Sequence, residues 1–456
     1  MGNGEMEVAA MTNDMTHGKI LPQLIGFTIP LVLGNLFQLT YNAADSIIVG
    51  KFLGDGPLAS VGTAGPIMNL AILFISGMCM GAGILVSTHY GARQMRVLKR
   101  QISTTFLGGL AFSLAVTLIL VAAARPILTA LHVPGEILDT TTGYLRIIFL
   151  GYVFTFIYNF FSNTLRALGD SKASLYFLVV SSLFNIVGDL FFVAVLGWGV
   201  NGSAIATVLS QMICCLCCFA YIRFRMPLLR LGREWLAFDR RLLARTFAFG
   251  ITSALQLMCV QLGKVLVQSM VNMQGIAFMA AFTATNRMDD FALTPQQNIA
   301  HAATTFMAQN KGAGQAERMK QGFVCGILIE LVYTAAAALL VFGFARQIMG
   351  LFVGQDSVEA ISLGTSYLRI ISVMYLLSGS GNIVQGFFRG IGDLSVTLMS
   401  SLLNISIRVL AVFLMLQVSD GGFGCLAWAC GFGWLAMNLL EIPLLVRRIR
   451  GGKLLE

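Results

Sequence analysis

Charge is scarce in this 456-residue chain. Asp, Glu, Lys and Arg make up 11% of it and hydrophobic residues 57%, whereas a soluble domain carries about 25% charged residues. No water-soluble core needs so much apolar sequence, which excludes the soluble classes. Histidine is nearly absent, with 4 residues. No clustered His/Glu metal set and no Ser/His pair in adjacent apolar stretches supports a membrane-embedded enzyme. The nine cysteines all fall in apolar stretches and none in a loop, so an extracellular disulfide framework is excluded. Cys214-Cys215-Leu216-Cys217-Cys218 lacks the paired two-residue gap of a zinc site and has no His nearby; it reads as small apolar packing. No cleavable signal peptide is expected, because residues 1–19 are polar and the first apolar stretch is long enough to stay in a membrane.

The chain has long hydrophobic runs instead. A transmembrane helix needs about 20 apolar residues. Twelve such stretches are predicted, at 20–48, 58–88, 102–124, 144–165, 173–197, 202–222, 246–272, 276–308, 323–344, 366–388, 394–417 and 424–446. The expected class is an all-α polytopic membrane protein with twelve transmembrane helices.

The chain also repeats itself. Tyr144-Leu145-Arg146-Ile147-Ile148 returns as Tyr367-Leu368-Arg369-Ile370-Ile371, and Arg166-Ala167-Leu168-Gly169-Asp170 as Arg389-Gly390-Ile391-Gly392-Asp393, both at an offset of 223. Gly91-Ala92-Arg93-Gln94 matches Gly312-Ala313-Gly314-Gln315 at 221, and Ser181-Ser182-Leu183-Phe184-Asn185 matches Ser400-Ser401-Leu402-Leu403-Asn404 at 219. A duplicated half of this length is a secondary-transporter plan, and too long for a solenoid repeat. Six spans per half make the halves parallel repeats. The expected organisation is an N-terminal tail (1–19), an N-lobe (20–222), a connector (223–245), a C-lobe (246–446) and a C-terminal tail (447–456).

With the N-terminus inside, 22 of the 30 Lys and Arg fall in inner segments, 5 in outer ones and 3 in helices. The positive-inside rule therefore puts both termini in the cytoplasm. The net charge of +9 reflects topology and anionic lipid rather than nucleic acid, since the basic residues are scattered over many loops.

An ionisable group inside a bilayer is a functional hypothesis by default. Asp45 shares one face of the first span with Gln38, Tyr41 and Asn42. Asp189 in the fifth span follows Asn185 by four residues, and Ser203, Thr207 and Gln211 form a stripe in the sixth. Carboxylate, amide and hydroxyl oxygens suit a hard monovalent cation or a proton. The competing reading is that Asn, Thr and Ser only join helices. The second half does not repeat this set: Arg408 stands opposite Asp189, and Leu266 opposite Asp45. It has its own polar residues, Gln256, Gln261, Lys264, Arg287, Asp289 and Asp290. Arg287 and Asp290 could neutralise each other, Lys264 or Arg408 could pair with Asp289, and Glu330 and Glu441 are expected towards helix ends.

These residues carry a resemblance. Ile29-Pro30-Leu31 through Tyr41-Asn42-Ala43-Ala44-Asp45, Leu165-Arg166-Ala167-Leu168-Gly169-Asp170, Asn185-Ile186-Val187-Gly188-Asp189 and Gly199-Val200-Asn201-Gly202-Ser203 resemble the MATE family (multidrug and toxic compound extrusion) in content and order. The resemblance implies two six-helix lobes, a central cavity and alternating access. It implies export of a small amphipathic, often cationic compound in exchange for H+ or Na+, with no cofactor, from a bacterial cytoplasmic membrane. It also implies a cation site at Asp45, Asn185, Asp189 and Thr207, which would ligate Na+ if that is the coupling ion. Cavity candidates are Gln38, Tyr41, Asn42, Asn163, Gln211, Gln256, Gln261, Lys264, Asp289, Asp290 and Arg408. The family's acids in the seventh and tenth spans are missing here, where Gln256, Gln261, Lys264, Asn382 and Gln385 stand, so Asp289 or Asp290 would have to serve. A monomer is expected. The alternative is a lipid-linked oligosaccharide flippase of the same superfamily, for which Lys264, Arg287 and Arg408 would speak.

Overall fold

The computed structural model describes residues 14–53, 55–229, 237–352, 357–418 and 422–455, with the side chains of 42–47, 49–50, 53, 55–59, 227 and 418 also outside the described set. The described residues form thirteen α-helices: α1 (Ile20–Leu53), α2 (Asp55–Gly91), α3 (Met95–Ala130), α4 (Gly135–Leu150), α5 (Tyr152–Ala167), α6 (Lys172–Asp189), α7 (Gly199–Arg225), α8 (Arg240–Asn272), α9 (Ile276–Gly312), α10 (Ala316–Phe352), α11 (Val358–Ile391), α12 (Leu394–Val418) and α13 (Gly424–Arg450). A π-helical turn, Leu190–Val195, continues α6. Every predicted stretch lies on helix, because in hydrocarbon a helix satisfies its own backbone.

Ten of the helices are long and apolar enough to cross a membrane, or eleven when α4 and α5, which meet at 41°, count as one span. The stretch that falls short of the predicted twelve is α9. Its middle carries Asp289, Asp290, Gln296, Gln297, Asn298 and His301, and most of that segment is buried. A polar helix is tolerated at membrane depth where its polar face is turned into protein.

The chain divides into two compact units, one built on Ile29–Ala254 and the other on Met15–Thr28 with Leu255–Glu456. The division falls inside α1 and inside α8, not in the 223–245 connector.

In the first unit, α2 meets the start of α8 through Gly77 and Gly81, where an added Cβ would lie 2.4 Å from Ala254 and 2.5 Å from Phe249. The buried core runs through Phe156, Phe160, Phe161, Phe149 and Tyr152. The end of the connector is held to α3: Ser103 donates to Ala237 O at 2.8 Å, and the Asp239 N–H donates to Thr104 Oγ1 at 3.1 Å. The cysteines of α7 serve packing, with Cys215 Sγ 3.2 Å from Phe154 O.

In the second unit, α11 lies against α9 through Gly386 and Gly390, whose added Cβ atoms would stand 2.5 Å from Ala300 O and 2.4 Å from Met307 Cβ. Lipid offers no hydrophobic drive between helices, so such close small-residue contacts hold membrane bundles together. Residues 15–18, expected to be part of the N-terminal tail, are anchored. Met15 is fully buried, its N–H donates to Gln309 Oε1 at 3.1 Å, and Arg318 donates to the Met15, His17 and Gly18 carbonyls. Both repeats turn alike after their Arg-containing helix, with Gly169 at φ +93 and Gly392 at φ +85, a left-handed conformation that glycine adopts without strain.

Candidate ion and substrate site

In the first unit, Asn185 and Asp189 sit one turn apart on α6 and are buried, with Asp189 fully enclosed. They face α7, which comes close because Gly188 leaves only 3.0 Å between an ideal Cβ and the Ala206 side chain. Asn185 Nδ2 donates to Thr207 Oγ1 at 3.3 Å. That bond turns the amide carbonyl the other way, and Asn185 Oδ1 is left buried with no hydrogen-bond partner among the described residues. Ser203, one turn from Thr207, is fully buried. The π turn starts immediately after Asp189; such bulges concentrate at functional sites. Three of the four sequence-predicted site residues are thus brought together on α6 and α7. The fourth, Asp45, lies outside the described side chains, as does Asn42.

A second polar line runs along α5. Thr155 donates to Gln211 Oε1 at 2.5 Å, Ser76 donates to Asn159 Oδ1 at 3.2 Å, and Asn163 donates to Asn159 O at 2.8 Å. Gln211 and Asn163 are therefore tied into the unit and half-buried, whereas Gln38 is exposed and Tyr41 half-buried.

The second unit rearranges its charges. Asp289 is buried and accepts the hydroxyls of Tyr367 and Tyr375, each at 2.7 Å. Asp290 pairs with Lys264 at 3.0 Å, so the expected Arg287–Asp290 and Lys264–Asp289 pairs are replaced; Arg287 is exposed. The geometric reason is that Lys264 reaches Asp290 from α8, while Asp289 points the other way, into α11. Arg408 lies among Cys430, Tyr367 and Asp289. Gln261 is half-buried. Gln256, expected as a cavity residue, is buried and donates to Gln385 Oε1 at 3.1 Å and Ser401 Oγ at 3.0 Å. Glu330 and Glu441, expected near helix ends, are both buried to 1% exposure or less in the interior of this unit.

The tyrosines were missed by sequence reasoning. Their signal was available: Tyr367 and Tyr375 are eight residues apart on one helix face and repeat Tyr144 and Tyr152 at the same offset of 223.

The family model described as MatE matches residues 30–191 and again residues 252–414. The chain belongs to the MATE family. It is accordingly a multi-pass membrane transporter rather than an enzyme. It is 30% identical over 377 residues to "Probable multidrug resistance protein YoeA" of Bacillus subtilis (strain 168), covering 80% of each chain. It is 22% identical to "Multidrug export protein MepA" of Staphylococcus aureus (strain MSSA476), covering 87% of each. Among solved structures it resembles the outward-facing conformation of a multidrug resistance MATE family transporter of the MOP superfamily, with a TM-score of 0.91 at 22% identity, covering 97% of this chain and 99% of that one. It is also similar to a MOP superfamily transporter from Pyrococcus furiosus, with a TM-score of 0.89 at 21% identity over 96% of this chain and 99% of that one. The double match of one family model is the duplication seen in the sequence.

Proposed function

We propose that this MATE transporter exports small amphipathic cations in exchange for H+ or Na+, and that Asp45, Asn185, Asp189 and Thr207 bind the coupling ion. The observation that carries the site is the orientation of Asn185. Its amide N–H is engaged by Thr207, and its Oδ1 is buried without a donor among the described residues, on the same helix face as Asp189. A buried amide oxygen with nothing to accept is costly, and a monovalent cation or a hydronium-like donor removes that cost. Carboxylate, amide and hydroxyl oxygens are the donor set such an ion takes.

The ion then biases one packing of α1, α6 and α7 over another, which supplies the differential affinity a ligand-driven switch requires. Inward movement of one charge gains about 2.3 kcal/mol per 100 mV of membrane potential. Drug-like substrates are supported by the names of the relatives. The excess of Lys and Arg in alternate loops supports an orientation with both termini inside, and the bacterial relatives support a bacterial cytoplasmic membrane. The flippase reading needs free cationic charge for a pyrophosphate. Its support weakens with Lys264 paired to Asp290 and Arg408 facing Asp289.

The test is dye efflux from proteoliposomes under imposed Na+ or H+ gradients, with Asp45→Asn and Asp189→Asn beside the unchanged protein. Loss of gradient-driven efflux in both, with dye binding retained, is expected. Coupled efflux at the unchanged rate in both variants refutes the assignment.

A further inference from the structure

The second unit holds buried carboxyls that the ion site above does not use. They lie along one seam of α11. At one level, Gln296 Nε2 donates to Thr334 Oγ1 at 3.2 Å, Asn382 Nδ2 donates to Gln296 Oε1 at 3.4 Å, and Thr334 donates to Glu330 Oε1 at 3.4 Å. Glu330 Oε2 is buried with no hydrogen-bond partner among the described residues. One turn further along α11, Gln385 Nε2 donates to Ser400 and Ser401 at 3.3 and 3.2 Å, and its Oε1 accepts from Gln256 and Arg389, each at 3.1 Å. Glu441 on α13 is fully buried beside this network, facing Ser400, Gln385 and Arg389, yet among the described residues neither of its oxygens is in hydrogen-bond geometry.

These acids are not leftovers of the duplication. Glu330 stands where the first repeat has Gly109, and Gly379 stands where it has Phe156. In the first unit the Phe156 ring fills the space over Gly109, 2.3 Å from an ideal Cβ. In the second, Gly379 leaves that space to the carboxyl, and an added Cβ would lie 2.8 Å from Glu330 Oε1. The room is therefore made for Glu330. Glu441 is likewise specific to this half: at the offset of 223 the first repeat has Cys218, and the Arg389 counterpart, Arg166, lies among Tyr158 and Cys79.

We propose that Glu330 and Glu441 form a second ion-binding locus whose ligand is the proton. A metal ion would need several oxygens turned towards it, but the groups around Glu441 present N–H and O–H donors and a guanidinium. Glu330 has one hydroxyl for two oxygens. Among the described residues only one Glu330 oxygen and neither Glu441 oxygen is in hydrogen-bond geometry with a donor; an ionised carboxylate buried with so few bonds made is expensive, and a proton removes the charge without needing further ligands. The groups facing Glu330 are Thr334 and Tyr333 on its own helix and Gly379 from α11, with Gln296 from α9 bonded to Thr334 behind them. Those facing Glu441 are Ser400 from α12, and Gln385 and Arg389 from α11. The locus rests on the proposed function only in taking the driving ion of transport to include H+.

The test separates the two. Infrared difference spectra of the full-length protein in nanodiscs, recorded across a pH step, report protonated carboxyl C=O bands without any transport. Glu330→Gln and Glu441→Gln should each delete one band that Asp189→Asn leaves in place. Thr334→Val, which keeps the acid, should shift the Glu330 band rather than delete it, and this holds the assignment if Glu330→Gln does not fold. In proteoliposomes, substrate-driven H+ countertransport should fall at least about tenfold in each Gln variant while dye binding persists. Spectra identical to the unchanged protein in both Gln variants, or countertransport at its full rate in both, would overturn the proposal. Either result leaves the reading of Asp189 standing.

Discussion

The two units use one scaffold and invert its details. Gly151 breaks α4 from α5 and makes room for Val208, whose Cγ2 would be 2.6 Å from an added Cβ. At the equivalent places the second unit has Met374 and Gly431, 2.8 Å from Met374 Sδ to the ideal Cβ, and α11 runs through without a break. Large and small have changed sides, and the packing volume is kept. The pair Gly109 and Phe156 against Glu330 and Gly379 repeats the pattern, with a carboxyl as the large partner. The tyrosines are common to both units, but Tyr152 donates to Met68 O at 2.9 Å whereas Tyr375 donates to Asp289. Met68 and Asp289 are themselves related by the offset of 221. Opposite Asp189 stands Arg408. Duplication preserved the contacts and moved the charges, so each unit solves the burial of an acid with different helices.

The sharpest way to break this comparison is to remove the acid peculiar to the first unit. Asp189→Asn should lower gradient-driven efflux about 100-fold, equivalent to about 2.7 kcal/mol, while Arg408→Gln, at its counterpart, should leave ion-driven efflux within about tenfold. Equal losses in flux assays would mean the two positions do the same work.

Next is the volume exchange. Gly379→Phe alone should destabilise the protein by about 3 kcal/mol through overpacking against Glu330 and Thr334. Adding Glu330→Gly, which rebuilds the first unit's arrangement, should restore most of the loss in a thermal melt in detergent. Failure of the double variant to recover would show that the two units do not share packing at this level.

The tyrosines give a smaller contrast. Tyr375→Phe removes a donor from a carboxylate and should cost about 2 kcal/mol. Tyr152→Phe removes one from a backbone carbonyl and should cost about 0.6 kcal/mol in a membrane bundle. Equal shifts in unfolding midpoint would argue that Asp289 is not held by its hydroxyl. Smallest is Lys264→Met. Both partners of the Lys264–Asp290 pair are over a third exposed, and loss of such a pair costs under about 1 kcal/mol.

Much of this was legible in the letters. Helix positions follow from apolar runs, since each span must satisfy its own backbone in lipid. The duplication follows from motif offsets, and Asn185 and Asp189 could be paired because helical spacing puts residues four apart on one face, whereas adding Thr207, on another helix, rested on the family resemblance. What was not legible has a common cause. Glu330 and Glu441 were placed near helix ends because charge is costly in hydrocarbon. They are instead accommodated by Gly379 and by the Gln385 network, partners about 50 residues away in the chain. Lys264 had several acids within plausible reach, and only the rotation of α8 against α9 selects Asp290. Helix rotation also buries Asp289, Gln296 and Asn298 of α9, residues that hydropathy counts against a span.

Sequence alone determined that this is a duplicated, many-helix membrane transporter, because length, hydropathy and repeat are properties of the chain read in one dimension. Tertiary structure alone decided which acid meets which donor and which large residue faces which glycine. Those choices depend on helix rotation and on the close approach of helices at small residues, neither of which can be read from the order of the letters.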